Sequence, residues 1–156
     1  MKLPASTEWA LHCATTLAQV EPRRTVSAAQ LADYYDLPAP YLAKQLKALA
    51  KAGVFTATSG PRGGYRLARP PSEITLLQIV EAIDGAASPF ECHEIRQQGR
   101  GALSPEDCRH TCAIAAAMAD AHEAWRRSLA DVTLADILDR IPSWAPARTR
   151  SLLTES

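Results

Sequence analysis

Apolar residues recur at helical spacing in two short, adjacent stretches, and they predict two helices joined by a tight turn. The first helix is predicted over Ala28–Tyr35, because Ser27 can cap its N-terminus. The second is predicted over Tyr41–Ala52, and Gly53 can end it, since glycine tolerates the left-handed conformation found at helix ends. Pro38 breaks the chain between the two. Two helices at this separation are typical of a helix-turn-helix unit.

A hairpin is predicted directly after this unit. Residues 54–58 are expected to form a strand, residues 59–64 a glycine-rich turn, and residues 65–67 the returning strand. A helix-turn-helix followed by a two-stranded hairpin is the outline of a winged helix. In that arrangement the second helix can enter a major groove, while the hairpin reaches the neighbouring backbone or minor groove.

Helical periodicity predicts four further helices. They are expected from Ser6 or Thr7 to about Glu21, from Ile74 to Gly85, from Arg109 to Leu129, and after the capping residue Thr133 to Ile141. The long third one has an apolar seam, formed by Ile114, Ala117, Met118, Ala121, Trp125 and Leu129. A seam of this length suits the pairing of two subunits.

The expected fold is therefore mainly α with a small β-hairpin wing: a winged helix-turn-helix with a long C-terminal dimerisation helix. The expected segments are a winged helix-turn-helix domain (1–85), a cysteine-bearing loop (86–112), the dimerisation and terminal helices (109–141) and a flexible tail (142–156).

The charge distribution points to DNA. The chain has 17 basic and 17 acidic residues, yet Pro38–Pro71 holds six cations and no carboxylate. A lysine stripe alone is usually a solvated helix face, but here it lies on the second helix of a helix-turn-helix unit, which favours binding to duplex DNA. Phosphate contacts are expected from Lys44, Lys47, Lys51, Arg62 and Arg66. Base contacts are expected from Tyr41, Gln45 and Arg62.

Several classes of protein are disfavoured. The chain has no apolar run long enough to cross a membrane, and its first residues do not resemble a signal peptide, so we expect a cytoplasmic protein. We find no nucleophile–base set, phosphate-binding glycine loop or pair of catalytic acids, so we expect no enzymatic activity. Four cysteines in a reducing compartment indicate metal binding, redox chemistry or simple burial rather than structural disulfides.

Two groups of residues are candidates for metal binding. Glu8 and His12 lie one helical turn apart and leave the same face of the first helix, although such a pair is also ordinary on a helix surface. Cys92, Cys108 and Cys112 can meet if their loop folds back onto the start of the long helix, where the helix dipole stabilises thiolates. A zinc site, free thiols and a disulfide remain alternatives, because this spacing matches no common zinc motif.

The chain resembles the iron–sulfur transcription regulators typified by IscR and NsrR, over residues 1 to about 141. The resemblance rests on the MKL…EWAL start, YLAKQLKALAKAGV, the SGPRGGYRLARP hairpin, ITLLQIVEAIDG and the three downstream cysteines. It implies a homodimer with an iron–sulfur cluster near the subunit interface, and promoter binding that depends on the state of the cluster. The alternative is a winged-helix regulator without a cluster, controlled by zinc, thiol oxidation or a protein partner.

The cysteine spacing departs from most of that family, because fifteen residues separate Cys92 from Cys108. This longer loop, together with Glu8, Trp9 and His12, is similar to the redox-sensing RsrR subgroup. The resemblance implies a 2Fe–2S cluster held by Cys92 and Cys112 of one subunit and by Glu8 and His12 of the other. Cys108 would be a neighbour, and Trp9 a residue that repacks as the ligands adjust. The alternative is a 4Fe–4S cluster held by the three cysteines and Glu8.

Overall fold

The computed structural model describes residues 2–154. Within this range the chain forms seven α-helices and one antiparallel two-stranded sheet. In chain order these are α1 (Ala5–Leu17), α2 (Ala28–Tyr35), α3 (Ala39–Lys51), β1 (Phe55–Thr58), β2 (Gly64–Leu67), α4 (Leu76–Asp84), α5 (Ala113–Ala130), α6 (Leu134–Leu138) and α7 (Ala145–Thr154). The predicted mainly α fold with a small hairpin is confirmed.

The chain divides into two compact units. We call residues 2–85 and 129–154 the head, and residues 86–128 the cysteine unit. The head contains the helix-turn-helix, the hairpin and the last two helices, and the cysteine unit contains the 86–112 loop and most of α5.

A single aliphatic core holds the head together. α1 and α3 pack against each other and against α4, and each buries one face. Its fully buried side chains include Ala10, Cys13, Ala14, Leu42, Leu46, Leu49, Ile74, Ile79 and Leu134. Burial of this apolar surface is the main force that fixes α3 relative to its neighbours.

Local signals define the helix-turn-helix. Ser27 and Gln30 form a capping box at the start of α2: the Gln30 backbone N–H donates to Ser27 Oγ (3.1 Å), and the Ser27 N–H donates to Gln30 Oε1 (3.0 Å). α2 ends at Tyr35, and the next residue, Asp36, caps it with a left-handed φ of 50°. α3 begins at Ala39, two residues before its predicted start, because Pro40 is compatible with the first turn of a helix.

The hairpin is fastened to the segment before α2. β1 pairs with β2 from Phe55 opposite Leu67 to Thr58 opposite Gly64. Tyr65 also forms a backbone bridge to Val26, with N–O distances of 2.8 and 2.9 Å. Gly64 makes this close approach possible, since a Cβ there would lie 2.5 Å from the Val26 carbonyl oxygen. The wing and the segment before α2 are therefore joined by backbone hydrogen bonds.

The predicted flexible tail is wrong for residues 145–154, which form α7. Leu153 is 1% exposed, and its carbonyl oxygen accepts a hydrogen bond from Arg24 Nη2 (2.6 Å). Thr149, also buried, donates to Gln19 Oε1 (3.1 Å) and bonds to the Tyr34 hydroxyl (3.2 Å). Pro146 is the second residue of α7, and the first turn of a helix accepts proline. The final two residues of the predicted tail, 155 and 156, lie outside the described range.

Two predicted helix bounds are also corrected. α1 ends at Leu17 rather than near Glu21. α5 begins at Ala113 rather than Arg109, so Cys108 and Cys112 both precede the helix. The residues before it form a separate turn, in which the Cys108 N–H donates to the Ser104 carbonyl (3.3 Å).

Candidate functional site

The outer face of α3 presents polar and cationic side chains to solvent. Tyr41 is 68% exposed, and Lys44, Lys47 and Lys51 are exposed. Gln45 is half-buried. Because the leucines of α3 are buried on the opposite face, the lysines cannot turn inward. The structure thus places the three predicted lysines and Tyr41 where a ligand outside the head can reach them.

The wing adds two arginines. Arg62 is exposed in the turn between the strands, and Arg66 is half-buried in β2 opposite Thr56. Thr25 Oγ1 donates to the Arg62 carbonyl oxygen (3.0 Å), which ties the wing turn to the segment before α2. Because β1 packs against α3, the wing and α3 are parts of one packed structure and can contribute to one surface.

Glu8 and His12 are exposed on α1 and line the same shallow pocket, whose walls also include Thr7. Thr7 is fully buried, and its Oγ1 has no hydrogen-bond partner among the described residues. Trp9 is half-buried and packs against the head core. Glu8 and His12 are therefore accessible, while the helix that carries them is fixed in the head.

Tyr35 links α1 to the helix-turn-helix, and sequence reasoning missed it. Its hydroxyl donates to the His12 carbonyl (3.3 Å) and bonds to Thr16 Oγ1 (2.6 Å), and its ring centroid lies 5.7 Å from that of His12. Burial is the largest cause that raises the pKa of Tyr35 to about 12. The Cys13 thiol, on α1, is fully buried, which raises its pKa to about 12.

The three other cysteines lie in the cysteine unit. Cys92 is exposed, and Cys108 and Cys112 are half-buried. Cys112 immediately precedes α5, and hydrogen bonds from the backbone N–H groups of Ala115 and Ile114 lower its pKa. A helix N-terminus thus favours the thiolate form of this residue, as the sequence predicts.

Arg96 supplies a cation beside these thiols. Its Nη2 donates to Glu94 Oε2 (2.7 Å) and to the His110 carbonyl (3.2 Å). The Glu94 hydrogen bond is the largest cause that raises the Arg96 pKa, and negative charge on Cys108 and Cys112 raises it further. The sequence shows two arginines between Cys92 and Cys108, Arg96 and Arg100, and does not indicate which of them lies beside the thiols.

The candidate metal residues belong to two units: Glu8 and His12 lie in the head, and the three cysteines lie in the cysteine unit. Within residues 2–154 no group of three or more His, Cys, Asp or Glu side chains is assembled as a metal site. Each unit holds side chains that can bind a metal. In the cysteine unit, backbone amides stabilise the sulfur of Cys112. In the head, the Glu8 carboxylate and the His12 imidazole are accessible beside the Thr7 hydroxyl, which has no hydrogen-bond partner among the described residues.

The apolar seam of α5 is exposed from Ile114 to Ala121, whereas Trp125 and Leu129 are half-buried. Ile114 is 67% exposed and Met118 is 39% exposed, and none of the 18 residues of α5 is buried. Single exposed apolar residues are ordinary, but a full helix with an exposed apolar seam marks an interaction surface.

Together the fold, the cationic outer face of α3 and the arginine-bearing wing define a winged-helix DNA-binding protein. No helix described in residues 2–154 combines the length and apolarity that crossing a bilayer requires.

Comparison with known proteins identifies the family to which the chain belongs. Residues 3–140 match the Rrf2 family, described as iron-dependent transcriptional regulators, and the chain belongs to that family. It is 30% identical over 148 residues to slr0846 of Synechocystis sp., described as an HTH-type transcriptional regulator, with 95% of each chain covered. It is 40% identical over 68 residues to the transcriptional regulator IscR of Cereibacter sphaeroides, covering 44% of each.

Among solved structures, CymR, the global cysteine regulator of B. subtilis, has the same fold. The TM-score is 0.69 at 22% identity, covering 91% of this chain and 99% of CymR. The chain is thus a DNA-binding transcriptional regulator, and the family to which it belongs is one of regulators rather than enzymes.

Proposed function

We propose that two copies of the chain form a regulator whose operator binding depends on the redox state or integrity of an iron–sulfur cluster. The observation that carries the proposal is Cys112: backbone amides at the start of α5 lower its pKa, which prepares the sulfur to bind a metal. The iron-dependent character of the family supports it. The exposed part of the α5 seam supports the homodimer, because a second copy of the same seam would bury it.

In the proposed site, Glu8 and His12 of one subunit and Cys92 and Cys112 of the partner subunit hold a 2Fe–2S cluster, with Cys108 beside it. The two ligand pairs belong to different units of the chain, which allows each pair to come from a different subunit. The 4Fe–4S alternative would instead use all three cysteines with Glu8. When bound, such a cluster supplies a one-electron acceptor, and nitrogen ligation raises its potential relative to all-cysteine clusters.

The residues of the head convert a change at this site into altered DNA binding. α1 buries Ala10, Cys13 and Ala14 in the head core, so a shift of Glu8 or His12 shifts the head that carries α3. Trp9 lies between the two ligands and packs on that core, so we propose that it repacks when they move.

The proposed DNA surface consists of α3 and the wing. Lys44, Lys47, Lys51, Arg62 and Arg66 bind phosphates and set affinity and salt dependence. Tyr41, Gln45 and Arg62 contact base edges: glutamine can bind adenine through two hydrogen bonds, and an arginine on the wing suits a narrow minor groove.

Anaerobic purification with iron and sulfide analysis, absorption spectroscopy and EPR of the reduced protein tests the cluster. Cys92→Ala and Cys112→Ala should lose the chromophore, while Glu8→Ala and His12→Ala should change its spectrum or stability. Cys108→Ala is the matched control and should retain a 2Fe–2S spectrum. Wild-type protein without iron and sulfide would refute the proposal, and loss of the cluster in Cys108→Ala would favour the 4Fe–4S arrangement.

Thiol-based control without a cluster is the second candidate. It is favoured by the position of Arg96, close enough to Cys108 and Cys112 for both to affect its pKa. The Arg96 cation contributes to the lowered pKa of Cys112, and the thiolate is the reactive form of cysteine. The likeness to CymR shows the fold alone. Colourless protein whose DNA binding changes on mild oxidation, and is restored by a dithiol, would support this candidate.

A further inference from the structure

An open cleft lies between the wing turn and the segment that leads into α2. It measures about 610 Å³, and its lining is predominantly polar. Arg23, Arg24 and Arg62 line it together with Thr25, Ser27 and Gln30, and the described lining includes no carboxylate. Three cations around one concave, acid-free surface favour an anion.

Both walls of the cleft are held by hydrogen bonds. The wing wall is fixed by the Thr25 hydroxyl, which donates to the Arg62 carbonyl (3.0 Å), and by the backbone bridge between Val26 and Tyr65. The opposite wall is fixed by α7, because the Leu153 carbonyl accepts from Arg24 Nη2 (2.6 Å) and from Gln30 Nε2 (3.4 Å). The positions of the arginine backbones are therefore set before any ligand binds.

Two arginines have side chains available for the ligand. Arg23 and Arg62 are exposed, whereas the Arg24 guanidinium is bonded to the Leu153 carbonyl and Thr154 Oγ1. The Ser27 and Gln30 side chains are used by the capping box of α2. A guanidinium matches the two oxygens of a phosphate, so the anion expected between Arg23 and Arg62 is a phosphate group.

We propose that this cleft binds a phosphodiester of the DNA backbone through Arg23 and Arg62. The inference rests on the proposed placement of DNA on α3 and the wing, because Arg62 belongs to both surfaces. The cleft is open to solvent, so two arginines would hold a free phosphate weakly. A backbone phosphate is held there by the neighbouring contacts of the same duplex. The DNA surface thus extends past the wing to Arg23, a residue that sequence reasoning did not select.

The test measures binding of operator and scrambled duplexes by fluorescence anisotropy between about 50 and 200 mM salt. Arg23→Ala should weaken both duplexes by a similar factor and reduce the slope of log K against log salt by about 0.9. Arg23→Lys should recover most of the slope, since it keeps the charge. Arg148→Ala is the matched control: it removes an exposed arginine of the head outside the cleft and should leave the slope unchanged.

Three results would overturn the proposal. An unchanged slope in Arg23→Ala, with thermal unfolding like that of wild type, would show no phosphate contact. A loss confined to the operator duplex would indicate base reading. Competition by inorganic phosphate at constant ionic strength, present in wild type and absent in Arg23→Ala, would assign the cleft to a free anion. If wild-type protein bound neither duplex, the proposed DNA surface itself would fail, whatever Arg23 does.

Discussion

Replacing Leu153 by alanine tests whether α7 is part of the head. The Leu153 side chain is 1% exposed and belongs to the core cluster. Removing a fully buried leucine side chain costs about 2–5 kcal/mol in protein cores. α7 can detach instead of leaving a cavity, which limits the cost, so we expect the free energy of unfolding to fall by about 2–3 kcal/mol.

Urea denaturation followed by circular dichroism measures this decrease in the free energy of unfolding. All variants are compared at one protein concentration, because the protein is expected to dimerise. Leu152→Ala is the matched control, since Leu152 is the same residue type in the same helix but is 38% exposed, and it should cost less than about 1 kcal/mol. If the two substitutions lowered the free energy of unfolding equally, or if Leu153→Ala lowered it by less than about 0.5 kcal/mol, α7 would not be docked on the head. The sequence-based prediction of a flexible tail would then be correct.

Three further outcomes are expected. Met118→Glu places a charge in the α5 seam and should shift the protein toward monomer in sedimentation experiments, whereas Ala116→Glu, on the opposite helix face, should not; equal behaviour would contradict the seam. Trp9→Ala should reduce the difference in operator affinity between oxidised and reduced protein, and an unchanged difference would remove Trp9 from the switch. In reduced, metal-free protein, the lowered pKa of Cys112 makes its thiolate form, and therefore its alkylation, appear at lower pH than for an ordinary cysteine. Cys13, with a pKa of about 12, should stay unlabelled until the protein unfolds, and parallel pH profiles for the two thiols would argue against both shifts.

The helix-turn-helix could be predicted from sequence because its signals are local. The bounds of α2 match the prediction, and Ser27 caps it as expected. Thr133 likewise caps α6, where the Asp136 N–H donates to Thr133 Oγ1 (3.2 Å). Caps and apolar periodicity act within a few residues, so a single sequence contains the information.

Features that depend on distant contacts were missed. α7 has only Thr149 and Leu153 buried, too few for a clear periodic pattern, and its docking depends on Gln19, Tyr34 and Arg24 far away in the chain. The candidate metal residues were selected by residue type and spacing, which cannot show that Arg96 lies beside the thiols. The cysteine-bearing loop has no periodic apolar pattern, so its conformation could not be predicted from the sequence.

The close contact at Gly64 limits where control can act. The wing cannot move toward Val26, because their backbones already touch, and α1 is packed in the same core as α3. The packing of α3 and the backbone bridge of the wing thus hold the parts of each DNA-reading surface together. What remains adjustable in a dimer is the separation and relative rotation of its two copies. Duplex DNA is sensitive to both, since equivalent groove positions recur about every 34–36 Å. An operator for this protein would then be defined by the spacing of its half-sites as much as by their bases.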